Sequence, residues 1–340
     1  MNGDTNAVRL VAAVLVAAAA AGLVAGCGGV VSASAPQCSF FSDVCNPTVP
    51  PGTFAFAQLQ PIAATVQVGG SATFVGQSTG IDPPVYQWSR SNDGGASFVA
   101  IPGATASSYV LAGTPLTDDG VVLRFSASST KGDVSVQAQA VVRVSSMPPV
   151  VQQDTEFAPA DWVVSATSVP AASGATHDEA QVATGGNSGA YRTMTHRMPA
   201  GPGSLSVLHA STAASYDPAS QGAILVIDYA EDCRVQPANL ALYAVGSNLL
   251  LDQGARRFAA TGSVCASTGW SSLPSRNALT AADFTQIAGP GCGVGERCPD
   301  FAATAAPLRF GFVRSLTLAA GPGATVVHDI DNWKVSVWRK

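Results

Sequence analysis

The sequence predicts an all-β protein with two β-sandwich domains in tandem, and three observations carry that prediction. Short alternating, β-branched runs recur between Gly-, Pro-, Ser- and Asp-rich turns along nearly all of the chain beyond residue 60. Charged residues are only 11% of 340, against about 25% in an average soluble domain. The shortfall falls on the two most helix-compatible charges: lysine occurs only as Lys131, Lys334 and Lys340, and glutamate only as Glu156, Glu179, Glu231 and Glu296. Length is the third observation, since two ordinary domains fit once leader and linkers are subtracted. The net charge of −5 is mild and unclustered. Without a basic stripe, nucleic acid is not an expected partner.

Leu10 to Gly26 carry no charge and Arg9 stands just before them. Such an Ala-rich run is short for a membrane span, which needs about 20 residues, and fits the apolar core of a signal peptide over residues 1–26. Val24-Ala25-Gly26-Cys27 resembles the lipobox of bacterial lipoproteins, with Asp4 a departure from the usual positive leading segment. That resemblance implies diacylglycerol on Cys27, cleavage before it, and a mature chain anchored to the membrane rather than spanning it. Gly28 stands where an aspartate signals inner-membrane retention in many Gram-negative lipoproteins, so the implied address is the outer membrane or cell surface. The other readings of the run are an uncleaved anchor or a buried helix.

Six cysteines remain besides Cys27, an even number suited to an oxidising compartment. Sequence alone leaves their pairing open; proximity favours Cys38–Cys45, Cys233–Cys265 and Cys292–Cys298. Residues 27–60, rich in Pro, Ser and Asn, read as a lipidated tether.

Residues 61–145 hold about seven short strand candidates, among them "SATFVG", "VYQWSRS" and "VVLRFSAS", the pattern of a β-sandwich. This segment resembles a bacterial immunoglobulin-like domain. Trp88 lies where that family keeps its central Trp, and "TDDG" resembles its Asp-x-Gly corner. Phe74 and Phe125 stand where variants carry the inter-sheet cysteines, and Leu123 replaces the corner tyrosine. The resemblance implies a spacer or protein-binding arm.

A Pro-containing linker is expected over 146–154, then a second β-rich domain over 155–340. "EFAPADWVVS", "GGNSGAYRTM" and "HDIDNWKVSVW" together resemble jelly-roll modules of carbohydrate-binding proteins. "LTAADFTQIA" predicts a short helical turn, and "GNSGA" a turn rather than a serine-protease motif, since no matching His and Asp precede it.

Strand alternation predicts Asp331 on the same face as Trp333, Val335 and Val337, at the rim of the core. A carboxylate there must be solvated, capped by turn amides, or bound to a cation. Jelly-roll modules often hold structural calcium at such a place, which makes Asp331 the candidate ligand, although no EF-hand-like spacing supports it. "GAILVIDYAEDC" gathers Asp228, Glu231 and Asp232, readable as binding or acid/base carboxylates, or as a turn closed by Cys233. Ligand-binding candidates are Trp270 in the loop "STGWSS", Tyr191 and Arg192 after the Gly-rich loop, and Asp228 and Glu231. His196 is expected half-buried on a strand; His209 and His328 lack partners at metal spacing. The leading expectation is a non-catalytic surface or periplasmic lipoprotein whose distal domain binds glycan or another extracellular ligand. The alternatives are a structural or adhesion protein with envelope protein partners, and a hydrolase built on Asp228, Glu231 and Asp331.

Overall fold

The computed structural model describes residues 56–340 except 82, 131–133, 171–173, 237–244, 261, 274–275, 293–297 and 319–320. The leader, Cys27, Cys38 and Cys45 lie outside the described residues. Two β-sandwiches follow one another, as the sequence predicts.

The first is built from β1 (Phe56–Gln60), β2 (Ala63–Gln67), β3 (Ala72–Thr79), β4 (Pro84–Ser91), β5 (Val99–Ala100), β6 (Ser108–Leu111), β7 (Val122–Ser129) and β8 (Ser135–Ser145). A three-stranded sheet ordered β1-β3-β6 faces a five-stranded sheet ordered β2-β8-β7-β4-β5. Phe74 comes from the small sheet, Trp88 and Phe125 from the large one, and all three are fully buried in one core. Trp88 and Phe125 rings lie 5.2 Å apart, and the indole N–H donates to the Ala106 carbonyl at 2.9 Å. Aromatic burial thus joins the two sheets, each buried ring contributing roughly 1.5–3 kcal/mol. At the corner, Asp118 accepts two bonds from Arg90, at 2.6 and 3.0 Å. Leu123 is buried in the core. Strand β1 begins inside the stretch expected to be tether: Phe56–Gln60 pairs antiparallel with β3.

Gly76 sits opposite the Phe125 ring, and a Cβ added there would run into it. Gly76→Ala is therefore expected to destabilise the first sandwich by about 1–3 kcal/mol through overpacking. Urea unfolding followed by Trp88 fluorescence would check it; an unchanged midpoint would mean the ring can move aside.

The second sandwich comprises β9 (Val150–Asp154), β10 (Trp162–Val169), β11 (Thr176–Val182), β12 (Tyr191–Met198), β13 (Gly203–Tyr216), β14 (Ile224–Val235) and β15 (Val245–Gln253). It continues with β16 (Arg256–Ala260), β17 (Ser263–Cys265), β18 (Ser271–Ser272), β19 (Arg276–Leu279), β20 (Phe284–Ala288), β21 (Leu308–Leu318) and β22 (Ala324–Arg339). One sheet runs β10-β13-β21-β15-β16-β20, with β17 on β15; the other runs β11-β12-β22-β14-β18, with β9 on β22 and β19 on β14. The chain passes back and forth between the sheets, as in a jelly roll. Trp162 anchors the core, edge-on to Trp333 at 5.3 Å and to Phe312 at 5.0 Å, its N–H on Asp154 at 2.8 Å. Ala281–Asp283 form a single 3-10 turn leading into β20.

Half of the expected linker is sheet. Val150–Asp154 pairs antiparallel with Trp333–Val337. The reason lies in β22, which outruns its neighbour: β12 pairs only with Ala324–Ile330, leaving an open edge that the incoming chain fills. Ser145 Oγ donates to the Arg339 carbonyl at 2.8 Å and Arg339 to the Pro148 carbonyl at 2.9 Å, so the passage between sandwiches is held on both sides.

Candidate functional site

Strand β14 carries Asp228, Glu231, Asp232 and Arg234, and period-two alternation divides them. Tyr229, Glu231 and Cys233 point into the sandwich, where Tyr229 and Cys233 belong to its core. Asp228, Asp232 and Arg234 take the outer face. The turn expected after Asp228 is absent, because the strand runs on to Val235.

This division corrects two predicted ligand residues. Glu231 is only 2% exposed and fully engaged: Ser247 Oγ donates to it at 2.6 Å, Arg314 at 2.9 Å, and the Tyr229 hydroxyl donates to its other oxygen. Asp228 lies at the junction of the sandwiches, accepting from the Ala278 N–H and the Trp338 indole, both at 2.6 Å, and from Thr65 at 3.4 Å. Burial pushes its carboxyl above the usual range, against those hydrogen bonds. The two carboxylates face opposite sides of one strand, so they cannot flank a common glycosidic bond. Arg192 is corrected as well. It lies inside the sandwich at 3% exposure, where burial lowers its pKa.

Asp331 is not on the face of Trp333. Asn332 has φ 50 and adds one residue to β22 opposite β14, where the register slips between Ala230 and Asp232. Ile330 and Trp333 both enter the core, and Asp331 is turned to the outer side beneath the "GGNSG" loop. Its Oδ2 accepts the N–H groups of Asn187 at 2.7 Å and Ser188 at 3.2 Å, and its Oδ1 the N–H of Asn332 at 2.7 Å. Gly186 makes the close approach possible, since a Cβ there would stand 2.6 Å from Oδ2. Both oxygens face positive amide hydrogens, so these residues do not fit a calcium ion. Of the three readings open to the sequence, the amide cap is the one realised.

Beside that cap lies a surface patch on the same sheet. Asp232 accepts from the Asn187 and Asn332 side-chain amides at 2.7 and 2.6 Å and from Ser272 at 2.5 Å. Burial works to raise the Asp232 carboxyl, but those three hydrogen bonds outweigh it and hold it below its ordinary value. Trp270, half-exposed, donates its N–H to the Gly185 carbonyl at 3.0 Å. The Arg234 guanidinium lies 4.5 Å from the Trp270 ring and 4.8 Å from the Tyr191 ring, and the two rings meet edge-on at 5.4 Å. Arg234 is itself fixed by Asp329 at 2.6 Å. Thus Tyr191 and Trp270, 79 positions apart in sequence, share one cluster, while Arg192, Asp228 and Glu231 are elsewhere. Arg234, Asn187 and Asn332 escaped the sequence reading; only the outward phase of Arg234 beside Asp232 hinted at it.

The interior holds a second polar group. His196, His209, His328 and Arg314 are each 0% exposed. With Glu231 and Ser247 they form a layer across the sandwich, each strand passing from one apolar cluster to the other through one of them: Met194-His196-Met198, Val326-His328-Ile330, Phe312-Arg314-Leu316. His196 is therefore fully buried, not half-buried, and burial pushes its pKa down to about 3. Burial likewise drives His209 and His328 well below the ordinary imidazole value.

Disulfides join Cys233 to Cys265 and Cys292 to Cys298, the pairs that proximity favours. They fit an extracellular or secreted protein. Among the described residues no helix is long and apolar enough to cross a membrane.

No protein-family model matches the chain, and no curated protein does. Among solved structures, the N-terminal eight Ig domains of Down Syndrome Cell Adhesion Molecule are similar over 45% of this chain at 17% identity, with a TM-score of 0.22. The match spans 24% of that protein, about a quarter of its length, and so loose a superposition says nothing of what this chain binds.

Proposed function

We propose that this chain is an exported, non-catalytic binding protein whose second sandwich takes glycan at the Trp270 patch, with the first sandwich as its arm and a lipid on Cys27 as its anchor. The observation that carries the reading is the state of Trp270: half-exposed, yet pinned by the Gly185 carbonyl, the Arg234 guanidinium and the Tyr191 ring. A ring held this way offers stacking area without the entropic cost of ordering it. Exposed Asn187 and Ser272 and half-exposed Asn332 lie on the same sheet face, already ordered around Asp232. Amides and hydroxyls in a fixed array beside an aromatic surface suit the alternating hydroxyl edges and apolar faces of a sugar.

A glycan array followed by calorimetry on the exported chain tests this. Trp270→Ala is expected to weaken binding of the best-ranked glycan at least tenfold while leaving the melting temperature of the sandwich nearly unchanged. Failure of every glycan to bind would overturn the reading, as would a Trp270→Ala variant of full affinity.

A further inference from the structure

The buried layer in the second sandwich has no part in glycan contact, and its composition is unusual for a core. None of the six ring nitrogens of His196, His209 and His328 has a hydrogen-bond partner among the described residues, nor do Nε and Nη2 of Arg314 or Nε of Arg192. The His196 and His328 rings stand perpendicular at 4.5 Å, and the His209 ring stacks on Phe312 at 4.3 Å. The Arg314 guanidinium lies 5.2 Å from the same Phe312 ring.

The groups facing the imidazoles decide how they respond to acid. From β21 comes Arg314 and from β12 Arg192, both cationic; β11 adds His177, paired with Glu179 at 2.9 Å near the surface. Strand β14 supplies Tyr229 and Glu231, and β15 supplies Ser247. Glu231 is the carboxylate of this layer, and its oxygens are committed to Arg314, Ser247 and Tyr229. A proton on any of the three imidazoles therefore adds positive charge beside guanidinium with no free carboxylate to meet it. Protons on both His196 and His328 place two like charges about one ring contact apart, well within the Debye length of roughly 8 Å.

We infer that this layer is an acid-triggered latch: protonation of His196, His209 and His328 parts the two sheets of the second sandwich, while the first sandwich keeps its fold. The chain has four histidines, all within the second sandwich, so the first has no matching trigger. The direction follows from linkage. The imidazoles stay neutral in the folded state and take protons freely when unfolded, at a pKa near 6.5. Stability is therefore complete above about pH 6.5 and falls as pH drops below it. Between pH 7.5 and 5.5 each imidazole raises the unfolding constant about tenfold, and the three together about a thousandfold. Arg314 and Glu231 hold the sheets together at neutral pH, and the imidazoles of the same layer undo that contact in mild acid.

The experiment is hydrogen exchange read by mass spectrometry on the full chain in moderate urea at pH 7.5, 6.5 and 5.5, corrected for intrinsic exchange rates. Peptides covering β12, β13 and β22 are expected to show an opening constant rising by far more than tenfold, and peptides of β3, β4 and β7 to stay unchanged. His196→Gln, His209→Gln and His328→Gln, made singly, should each remove about tenfold of the dependence. Where such a variant does not fold, proton uptake on unfolding the unaltered chain at pH 5.5 serves instead, with between two and three protons expected from these residues. A rise of tenfold or less, equal response in both sandwiches, a dependence that survives the Gln variants, or uptake of less than one proton would overturn the inference. These readouts involve no sugar, so they stand or fall apart from the glycan reading.

Discussion

Glu231→Ala is expected to cost the second sandwich about 3–5 kcal/mol, a large share of the roughly 5–15 kcal/mol that ordinarily holds a domain folded. Glu231 comes from one sheet and Arg314 from the other, and both side chains have 0% exposure. Removing the carboxylate leaves Arg314 charged in the interior with only Ser247 on its Nη1. It also frees the Tyr229 hydroxyl, a group whose ionisation burial and Glu231 already oppose. The penalty is that of an uncompensated buried charge, not the net worth of the pair. Glu231→Leu combined with Arg314→Met should therefore recover most of the loss, because no bare charge remains. Urea unfolding followed by near-ultraviolet circular dichroism measures both variants. A single-variant loss below about 1 kcal/mol would show that water reaches the pair.

Breaking the Cys233–Cys265 disulfide is the second large effect, expected at about 3–4 kcal/mol. The bridge spans 32 residues and ties β14 in one sheet to β17 on the other. Both cysteines lie in the same apolar cluster as Val235 and Val245, at 0% and 1% exposure. In the chain-entropy model the stabilisation grows with the logarithm of loop length. The Cys292–Cys298 bridge spans 6 residues and should contribute only about 2 kcal/mol. Cys233→Ala with Cys265→Ala should thus lower the unfolding midpoint more than Cys292→Ala with Cys298→Ala. The first sandwich has no cysteine within it and should unfold identically in both. The reverse ranking would mean that the packing of the 233–265 region survives without its cross-link.

Both effects sit on strand β14, which shows what a single sequence conveys and what it withholds. Its alternation is legible in "ILVIDYAEDC", but which phase faces inward depends on the partner sheet. Glu231 turned inward because Arg314 and Ser247, 83 and 16 residues away, meet it across the sandwich. The same limit applies to β22, where one extra residue at Asn332 reverses the face of Asp331. A bulge of that kind has no signature in composition, since only φ and register reveal it. Tyr191 and Trp270 were legible as aromatics, yet Arg234, which lies against both rings, was not. Nothing local marks an arginine as the partner of two rings.

By itself, the order of residues determined the all-β class, the two successive sandwiches and the aromatic core around Trp88, and it favoured, without fixing, the two disulfide pairs that form within the described residues. These follow from local quantities: the period-two alternation, turn residues at short intervals, and small separations between cysteines. Only tertiary structure decided that Val150–Asp154 is a strand, that Asp331 is an amide cap, and that three histidines from three strands share one buried layer. Each of those depends on which strand edge or sheet face comes opposite, and long-range pairing is set by the summed packing of the whole core rather than by any nearby residue.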